Sequence, residues 1–497
     1  MRVTIASRRS DLARIQAYQV GEALETAHPQ IEISYSFHES LGDRNQNDPL
    51  WQMPEKGIFT QDFREGLLRG DFDLVVHSWK DLAIEEDRET EIAATLPRAD
   101  ARDLLLVRED RWPEVERAGA MNILTSSPRR GYNLESFLRE SLPANLNELN
   151  FINVRGNVPT RVRKLLESDA DGLIVAKAAI DRLLEAKQSE FAATREELRY
   201  ALSQCRWMVL PLRENPSAPA QGALAVEIVR GRNDIRGLLA PLNCAETFAA
   251  VTREREILRG HGGGCHQKIG ASVLRRPFGV ITFVRGLTDD GKVLDGCSLV
   301  SSTSRPPKIS RDQMWPLNVA ESDWFNREAI AVKPADDKPA LWIAKADALP
   351  DDWCPVGKQI VWASGVLTWK RLARRGVWVH GSAESLGEQE PQNIETLVGE
   401  NLNWLKLTHA GGYDEGAFPV LATYRLAPKN DAPDLSGRKY FFWKSGSSFE
   451  RALSLNPGIK SMTHFCGPGN TQRILESSGV QPFVFLDHAQ WLDEMSV

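Results

Sequence analysis

Three groups of residues have types and spacings suited to chemistry on an acidic substrate. The first is a set of arginines, Arg8, Arg129, Arg130, Arg155, Arg161 and Arg182, each at or near a strand-to-loop or loop-to-helix transition. TSSPRR (125–130) puts the hydroxyls of Ser126 and Ser127 ahead of two guanidiniums, and RGNVPTR (155–161) sets Arg155-Gly156 at a turn before Arg161. Guanidinium binds carboxylate in a planar fork, so such a set suits a ligand with many carboxylates. Any one of these arginines alone also reads as solvated surface. The second group is HSWKD (77–81), where Lys80 and Asp81 follow an apolar run. A carboxylate there can stabilise a developing cation or handle protons, or simply cap the next helix. The third is Cys265 after three glycines, a thiol presented on a loop or an inert buried filler.

The elements that must carry these groups read as α/β over the first half. Val3–Ala6 is a short strand, and Ile31, Ile33, Tyr35 and Phe37 alternate along a second. Leu12, Ile15, Val20 and Leu24 mark an amphipathic helix between them. DLVV (73–76) and GLIV (172–175) are buried strands, each running into a polar cluster. In α/β sheets function gathers at such carboxyl ends. Residues 245–260 form a charged helix, and IGASVL with GVITFVRGL form a small antiparallel sheet. SSTSRPPKISRDQ (301–313) and KPADDKP (333–339) read as linkers, after which helix-like and strand-like segments alternate again.

Composition narrows the classes. A net charge of −6 offers no global basic field for nucleic acid or an anionic membrane. With 42% hydrophobic and 26% charged residues the chain is globular. Its apolar runs fall far short of the ~20 residues that span a bilayer. No secretory signal is visible at the start. The six cysteines are scattered singly without a C-x-x-C pair, which gives neither a zinc site nor a disulfide framework. A cytoplasmic, monomeric, multidomain enzyme with a small-molecule substrate is expected, with no metal, nucleic-acid or membrane partner.

Taken together, IASRRSDLA (5–13), SLGDRN (40–45), EKGIFT (55–60), DLVVHSWKDL (73–82), TSSPRR (125–130), VRGNVPTR (154–161), PAQGALAVE (219–227), APLNCAETFAAVTRER (240–255) and GGGCHQKIGA (262–271) resemble porphobilinogen deaminase (hydroxymethylbilane synthase). The resemblance implies two periplasmic-binding-protein-like α/β domains, 1–100 plus 200–230 and 101–199, then a small α+β domain at 240–305. It implies that Cys265 carries a dipyrromethane cofactor through a thioether and that Asp81 is the catalytic carboxylate. Lys80, Ser126, Ser127, Arg129 and Arg130 would hold the cofactor. Arg8, Ser10, Arg155, Arg161 and Arg182 would bind substrate carboxylates, with Lys56 and Phe59 on a loop over the site. The implied reaction joins four porphobilinogen molecules head to tail with loss of ammonia. Each passes through an azafulvenium cation that a single acid facing the pyrrole N–H groups can stabilise. Departures are Gln52 in place of a loop lysine, Leu82-Ala83 in place of a proline, Ala220-Gln221-Gly222 in place of a GQG turn, and Cys265-His266-Gln267-Lys268 in place of a Cys-x-x-Pro-like stretch.

After a linker at 306–339, residues 340–497 are similar to uroporphyrinogen-III synthase, a compact α/β region. The similar pieces are VWASGVLTWKRLARRGVWVHGSAESLGE (361–388), LATYRLAP (421–428), FFWKSGSSFERAL (441–453) and CGPGNTQRILESSG (466–479). The similarity implies that Tyr424 assists ring closure and that Ser445, Ser447, Ser448 and Thr471 anchor carboxylates. Every residue assigned to the first activity precedes 302, so residues 1–338 are expected to perform it alone. Two alternatives stand beside a fused deaminase and synthase. One is a deaminase with a structural or regulatory C-terminal region, the other an anion-binding receptor of the same fold.

Overall fold

The structure is a computed structural model that describes residues 1–39, 61–262, 267–318, 320–333, 340–353, 355, 359–412 and 416–497. Lys56, Phe59 and Cys265 lie outside the described residues. Two sheets dominate the first half. In one the strand order is Glu32–His38, Arg2–Arg8, Leu74–Ser78, Leu224–Val229, Thr90–Ala94. In the other it is Glu148–Asn153, Ala120–Thr125, Gly172–Ala176, Asp103–Arg108, Cys205–Leu210. Each sheet is parallel except around one antiparallel strand, Leu224–Val229 in the first and Asp103–Arg108 in the second. Helix Asp11–Ala27 buries Val20 and Leu24 in the core of the first sheet, while Ile15, on the same apolar stripe, joins the cluster around the second sheet. This is the pair of α/β units expected.

The chain crosses between the two sheets twice, at residues 95–102 and 211–223, and the crossings run side by side. Ala99 N–H donates to the Gly222 carbonyl at 3.2 Å, and Arg98 Nε donates to the Gln221 carbonyl at 2.8 Å. The division therefore differs from the expected boundary at 200. Cys205–Leu210 pairs with Asp103–Arg108, and Trp207, Met208, Val209 and Leu210 all enter the core around the second sheet. Only from Leu224 does the chain rejoin the first sheet.

Helix Ala245–Gly260 leads into an antiparallel meander, Gly270–Arg276, Gly279–Leu287 and Val293–Ser301. Its buried Glu254 takes a two-pronged ion pair from Arg98 (2.6 and 2.9 Å) and the N–H groups of Ala220 and Val273, both at 2.8 Å. One carboxylate thus ties the third unit to both crossing segments.

The C-terminal region has two sheets, and the expected linker contributes a strand to each. Met314–Trp315 pairs with Tyr440–Trp443 in a parallel sheet completed by Thr463–Cys466 and Phe483–Val484. Phe325–Ala329 pairs antiparallel with Val420–Pro428 at the edge of a six-stranded sheet. The lobe spanning 325–428 is thus an insertion in the lobe that Met314–Trp315 opens and residues 440–497 complete.

This region is not appended by a tether. Val209 N–H donates to the His380 carbonyl at 2.8 Å, joining the edge of the second sheet to that of the inserted lobe. One apolar cluster contains Leu105, Phe137, Leu138 and Met208 together with Leu341, Trp369 and Leu372. Trp369 Nε1 donates to the Ser141 carbonyl at 3.1 Å. Burying a large apolar side chain is worth about 1.5–3 kcal/mol, so cutting through such a core exposes far more than a surface loop does. The expectation that 1–338 stands alone conflicts with this shared core. Among the described residues no helix is long and apolar enough to cross a membrane.

Candidate functional site

The site gathers where the two crossings meet the ends of the strands. Leu74–Ser78 runs into a single helical turn, Trp79–Asp81, in which Trp79 is buried, Lys80 half-buried and Asp81 exposed. Lys80 Nζ donates to Gln221 Oε1 at 3.3 Å. Gln221 Nε2 in turn donates to Asp103 Oδ1 and to the Ala101 carbonyl, both at 2.8 Å. Gln221 follows Ala220, whose φ of 68° is left-handed backbone that costs a non-glycine residue about 1–2 kcal/mol. The Glu254 carboxylate on the Ala220 N–H holds that turn in place.

Asp103 is the hub. Its Oδ2 accepts from Arg129 Nη2 at 2.8 Å and from Asn215 Nδ2 at 2.8 Å, and its Oδ1 accepts from Arg130 Nη2 at 2.7 Å. Although burial opposes ionisation, Arg130 and Arg129 hold the Asp103 carboxyl well below the usual carboxylate range. Arg129 Nη1 also donates to Asn215 Oδ1 and to the Pro216 carbonyl, each at 2.7 Å. Arg130 Nη1 donates to the Ile174 carbonyl at 3.2 Å. Both guanidiniums are buried, and neither Nε has a partner among the described residues.

Around this hub positive charge is in excess. Arg161 Nη1 donates to Ser126 Oγ and its Nε to the Gly156 carbonyl, both at 2.7 Å. Burial and Arg130 push Arg161 down to about 10, against the pull of Asp81. Arg182 donates to the Gly222 carbonyl at 2.8 Å and is pushed down to about 10 by burial. Burial drives Lys80 down to about 8; Asp81 and Asp103 oppose that, while Arg130 and Arg129 reinforce it. A cleft that disfavours its own cations gains most from a ligand bringing carboxylates.

Lys80, Asp81, Ser126, Arg129, Arg130, Arg155 and Arg161 thus come within electrostatic or hydrogen-bond reach of one another. Ser127 stands at the N-cap of helix Pro128–Ser141 with no capping bond from its hydroxyl. Arg8 ends the strand Arg2–Arg8 and Ser10 stands at the N-cap position of helix Asp11–Ala27 with no capping bond from its hydroxyl, both at the end of the sheet where Ser78 lies. Sequence reasoning missed Asp103, Asn215 and Gln221 as site residues. An aspartate opening the apolar run DLLLV was the available signal for the first.

In the C-terminal region the predicted residues lie in different settings. Ser447 Oγ lies 3.1 Å from His409 Nε2, and both line a groove of about 400 Å³ with Phe325, Leu426, Glu450 and Arg451. Ser445 instead caps helix Gly446–Leu455: its Oγ accepts from Ser448 N–H at 3.3 Å and lies 2.8 Å from Ser448 Oγ. Thr471 sits in the first turn of helix Asn470–Ser477. Tyr424 is buried in the apolar cluster shared with the second sheet, its ring 5.8 Å from that of His409, and burial pushes its hydroxyl above 10. Of the four hydroxyls expected as carboxylate anchors, Ser445 and Ser448 are engaged with each other at a helix start, and Ser447 faces His409. His409 was not foreseen.

Two α/β sheets joined by paired crossings, with buried cations at the joint, define a two-unit α/β protein with an anion-favouring junction. Residues 3–237 match the family model described as porphobilinogen deaminase, dipyromethane cofactor binding domain. The porphobilinogen deaminase of Clostridium novyi is 32% identical over 272 residues, covering 54% of this chain and 83% of that protein. That of Syntrophomonas wolfei is 33% identical over 307 residues, covering 61% and 90%. A periplasmic sulfonate-binding protein of Methylobacillus flagellatus is a remote structural likeness at 12% identity, covering 52% and 69% with a TM-score of 0.27. The chain belongs to the porphobilinogen deaminase family, whose cofactor is a covalently attached dipyrromethane. The donor set fits such a group, since the partnerless Nε atoms of Arg129 and Arg130 and the depressed Lys80 all call for carboxylate.

Proposed function

We propose that the chain is a hydroxymethylbilane synthase joined to a uroporphyrinogen-III synthase that closes its linear product. The observation that carries the first reading is Asp81, an exposed carboxylate set among Lys80, Arg161 and the Asp103 hub. Lys80, Ser126, Ser127, Arg129 and Arg130 would hold the dipyrromethane carboxylates, with Cys265 as its attachment point. When bound, that group would supply the free pyrrole α-carbon to which the first porphobilinogen joins, each later unit joining the end of the growing chain.

Asp81 faces the charge that develops on the substrate pyrrole as ammonia leaves, and can hold the pyrrole N–H during that step. Arg155, Arg161 and Arg182, with Arg8 and Ser10 at the facing sheet end, take the acetate and propionate groups. Binding energy spent on those distant carboxylates orients the reacting carbons. The receptor alternative has no use for a thiol after three glycines.

The groove at His409 and Ser447 supports the second activity, because it offers a hydrogen-bonding pair between the two C-terminal lobes. The shared core supports a structural role for this region whether or not it is catalytic. Intact mass of the full chain and of Cys265→Ser tests the first reading: the parent carries a dipyrromethane increment and the variant none. An increment retained on the variant rejects the assignment. Product analysis of the same parent tests the second, with isomer III predominating. Isomer I in the proportion given by spontaneous closure leaves only the structural role.

A further inference from the structure

The second crossing is held from outside the deaminase units. Glu384, in the inserted C-terminal lobe, is 9% exposed. Its Oε1 accepts from the Leu212 N–H at 2.9 Å and its Oε2 from the Arg213 N–H at 2.8 Å. Those two amides belong to a turn that closes where Asn215 N–H donates to the Pro211 carbonyl at 2.9 Å. The turn delivers Asn215 Oδ1 and the Pro216 carbonyl to Arg129, and Asn215 Nδ2 to Asp103.

A second strut reaches the first crossing. Arg102 Nη2 donates to the Gln392 carbonyl at 2.8 Å while the same guanidinium grips Asp100, and the next residue is Asp103 itself. Arg102 is also a cation that faces Glu384. At Glu384 and Ser385 the backbone takes φ of 51° and 63°, left-handed values at two successive residues that are not glycine. Such conformations persist where the surroundings over-determine them, and they gather at sites under functional constraint.

We propose that Glu384 is a positioning residue for the deaminase reaction: by gripping the Leu212–Arg213 amides it sets Asn215 and Pro216, and through them the aim of Arg129. The C-terminal region is on this account part of the first active site's support. The inference rests on the reading of Asp103, Arg129 and Arg130 as the anion site. A carboxylate suits the task because it presents two acceptors to two adjacent donors. Glutamine satisfies one N–H and turns its own NH2 toward the other.

The test uses the full-length protein with kinetics normalised to the cofactor-bearing fraction. Glu384→Gln is expected to raise KM for porphobilinogen about tenfold with kcat little changed, and to lower the cofactor-bearing fraction read by intact mass. Trp369→Phe is the control. It loses the Ser141 hydrogen bond at the opposite end of helix Pro128–Ser141 from Arg129, so it should lower the melting temperature and leave KM unchanged. An unchanged KM in Glu384→Gln overturns the proposal, as does an equal KM rise in Trp369→Phe at equal thermal loss. If Glu384→Gln does not fold, Arg102→Gln decides, because it breaks the other strut and should raise KM likewise; no rise there rejects the idea. Arg129→Leu separates the two levels. If it leaves KM and cofactor content untouched, the anion-site reading fails. If it is impaired while Glu384→Gln is not, only the role of Glu384 falls.

Discussion

The cleft between the first two sheets and the groove between the last two hold their polar groups in different ways. In the cleft, Arg129 and Arg130 are fixed on one carboxylate and on backbone carbonyls, and the Nε of each is buried with no partner among the described residues. In the groove, Ser445 and Ser448 bond to each other at a helix start, and Ser447 and His409 line the opening beside Glu450 and Arg451. A buried charge without a partner is expensive, so a chain that keeps several in one place must anchor each twice. Hydroxyls carry no such constraint and are readily absorbed by local backbone. The cleft gathers buried cations on one carboxylate; the groove sets a hydroxyl and an imidazole beside one side chain of each charge.

If that contrast is right, the largest single effect lies in the cleft and is electrostatic. Asp81→Asn keeps size and removes charge, and losses of this kind cost about 3–4 kcal/mol, or 10²–10³ in rate. Single-turnover consumption of porphobilinogen by cofactor-bearing Asp81→Asn should fall by that factor, while cyclisation of supplied hydroxymethylbilane stays at the parental rate. A loss of only a few-fold would reduce Asp81 to the end of a helical turn and blur the contrast.

A smaller effect sharpens it through pH. Lys80 titrates at about 8 in the cleft, chiefly because of burial. A carboxylate ligand raises that value, so above pH 8 binding must take up a proton. Affinity is therefore flat below pH 8 and falls up to about tenfold per unit above it, until the pKa of the bound form is passed. KM for porphobilinogen measured from pH 7 to 10 should rise along this limb, and Lys80→Gln should raise KM at pH 7 but flatten the profile. A limb that persists in Lys80→Gln assigns the titration elsewhere.

What the sequence discloses follows the same divide. The arginines, Lys80 and Asp81 are visible because their types are unusual at strand ends, and strand and helix periodicity shows what carries them. Asp103, Asn215 and Gln221 are hidden because their importance comes from a crossing that brings residues 103, 129, 215 and 221 together across more than one sheet. The C-terminal motifs are legible as strings, yet a Ser-rich turn before a helix is also an ordinary N-cap, and Ser445 is used as one. The strand Met314–Trp315 escapes notice because two residues in a Pro-flanked stretch carry no periodicity. Nothing in the sequence indicates that Trp369 packs on Phe137 across the boundary.

The smallest expected effect tests whether the groove has chemistry beyond shape. Tyr424 is 4% exposed, and burial pushes its hydroxyl up, so it stays protonated across the neutral range and can donate a hydrogen bond as well as accept one from Arg327. Tyr424→Phe keeps the ring against His409 and removes that donor. If the phenol assists departure of the hydroxyl from the linear substrate, the fraction of isomer III should drop modestly, by less than the 10²–10³ expected of Asp81, because positioning by the lobes persists. Ser445→Ala supplies the contrast: loss of the cap should cost about 1 kcal/mol of stability and leave the isomer ratio unchanged. An unchanged ratio in Tyr424→Phe would turn attention to the imidazole of His409, 3.1 Å from Ser447 Oγ, which faces the groove directly. A collapse of the ratio in Ser445→Ala would mean instead that the helix start holds the substrate, and the line drawn between ligand-facing and cap hydroxyls would be wrong.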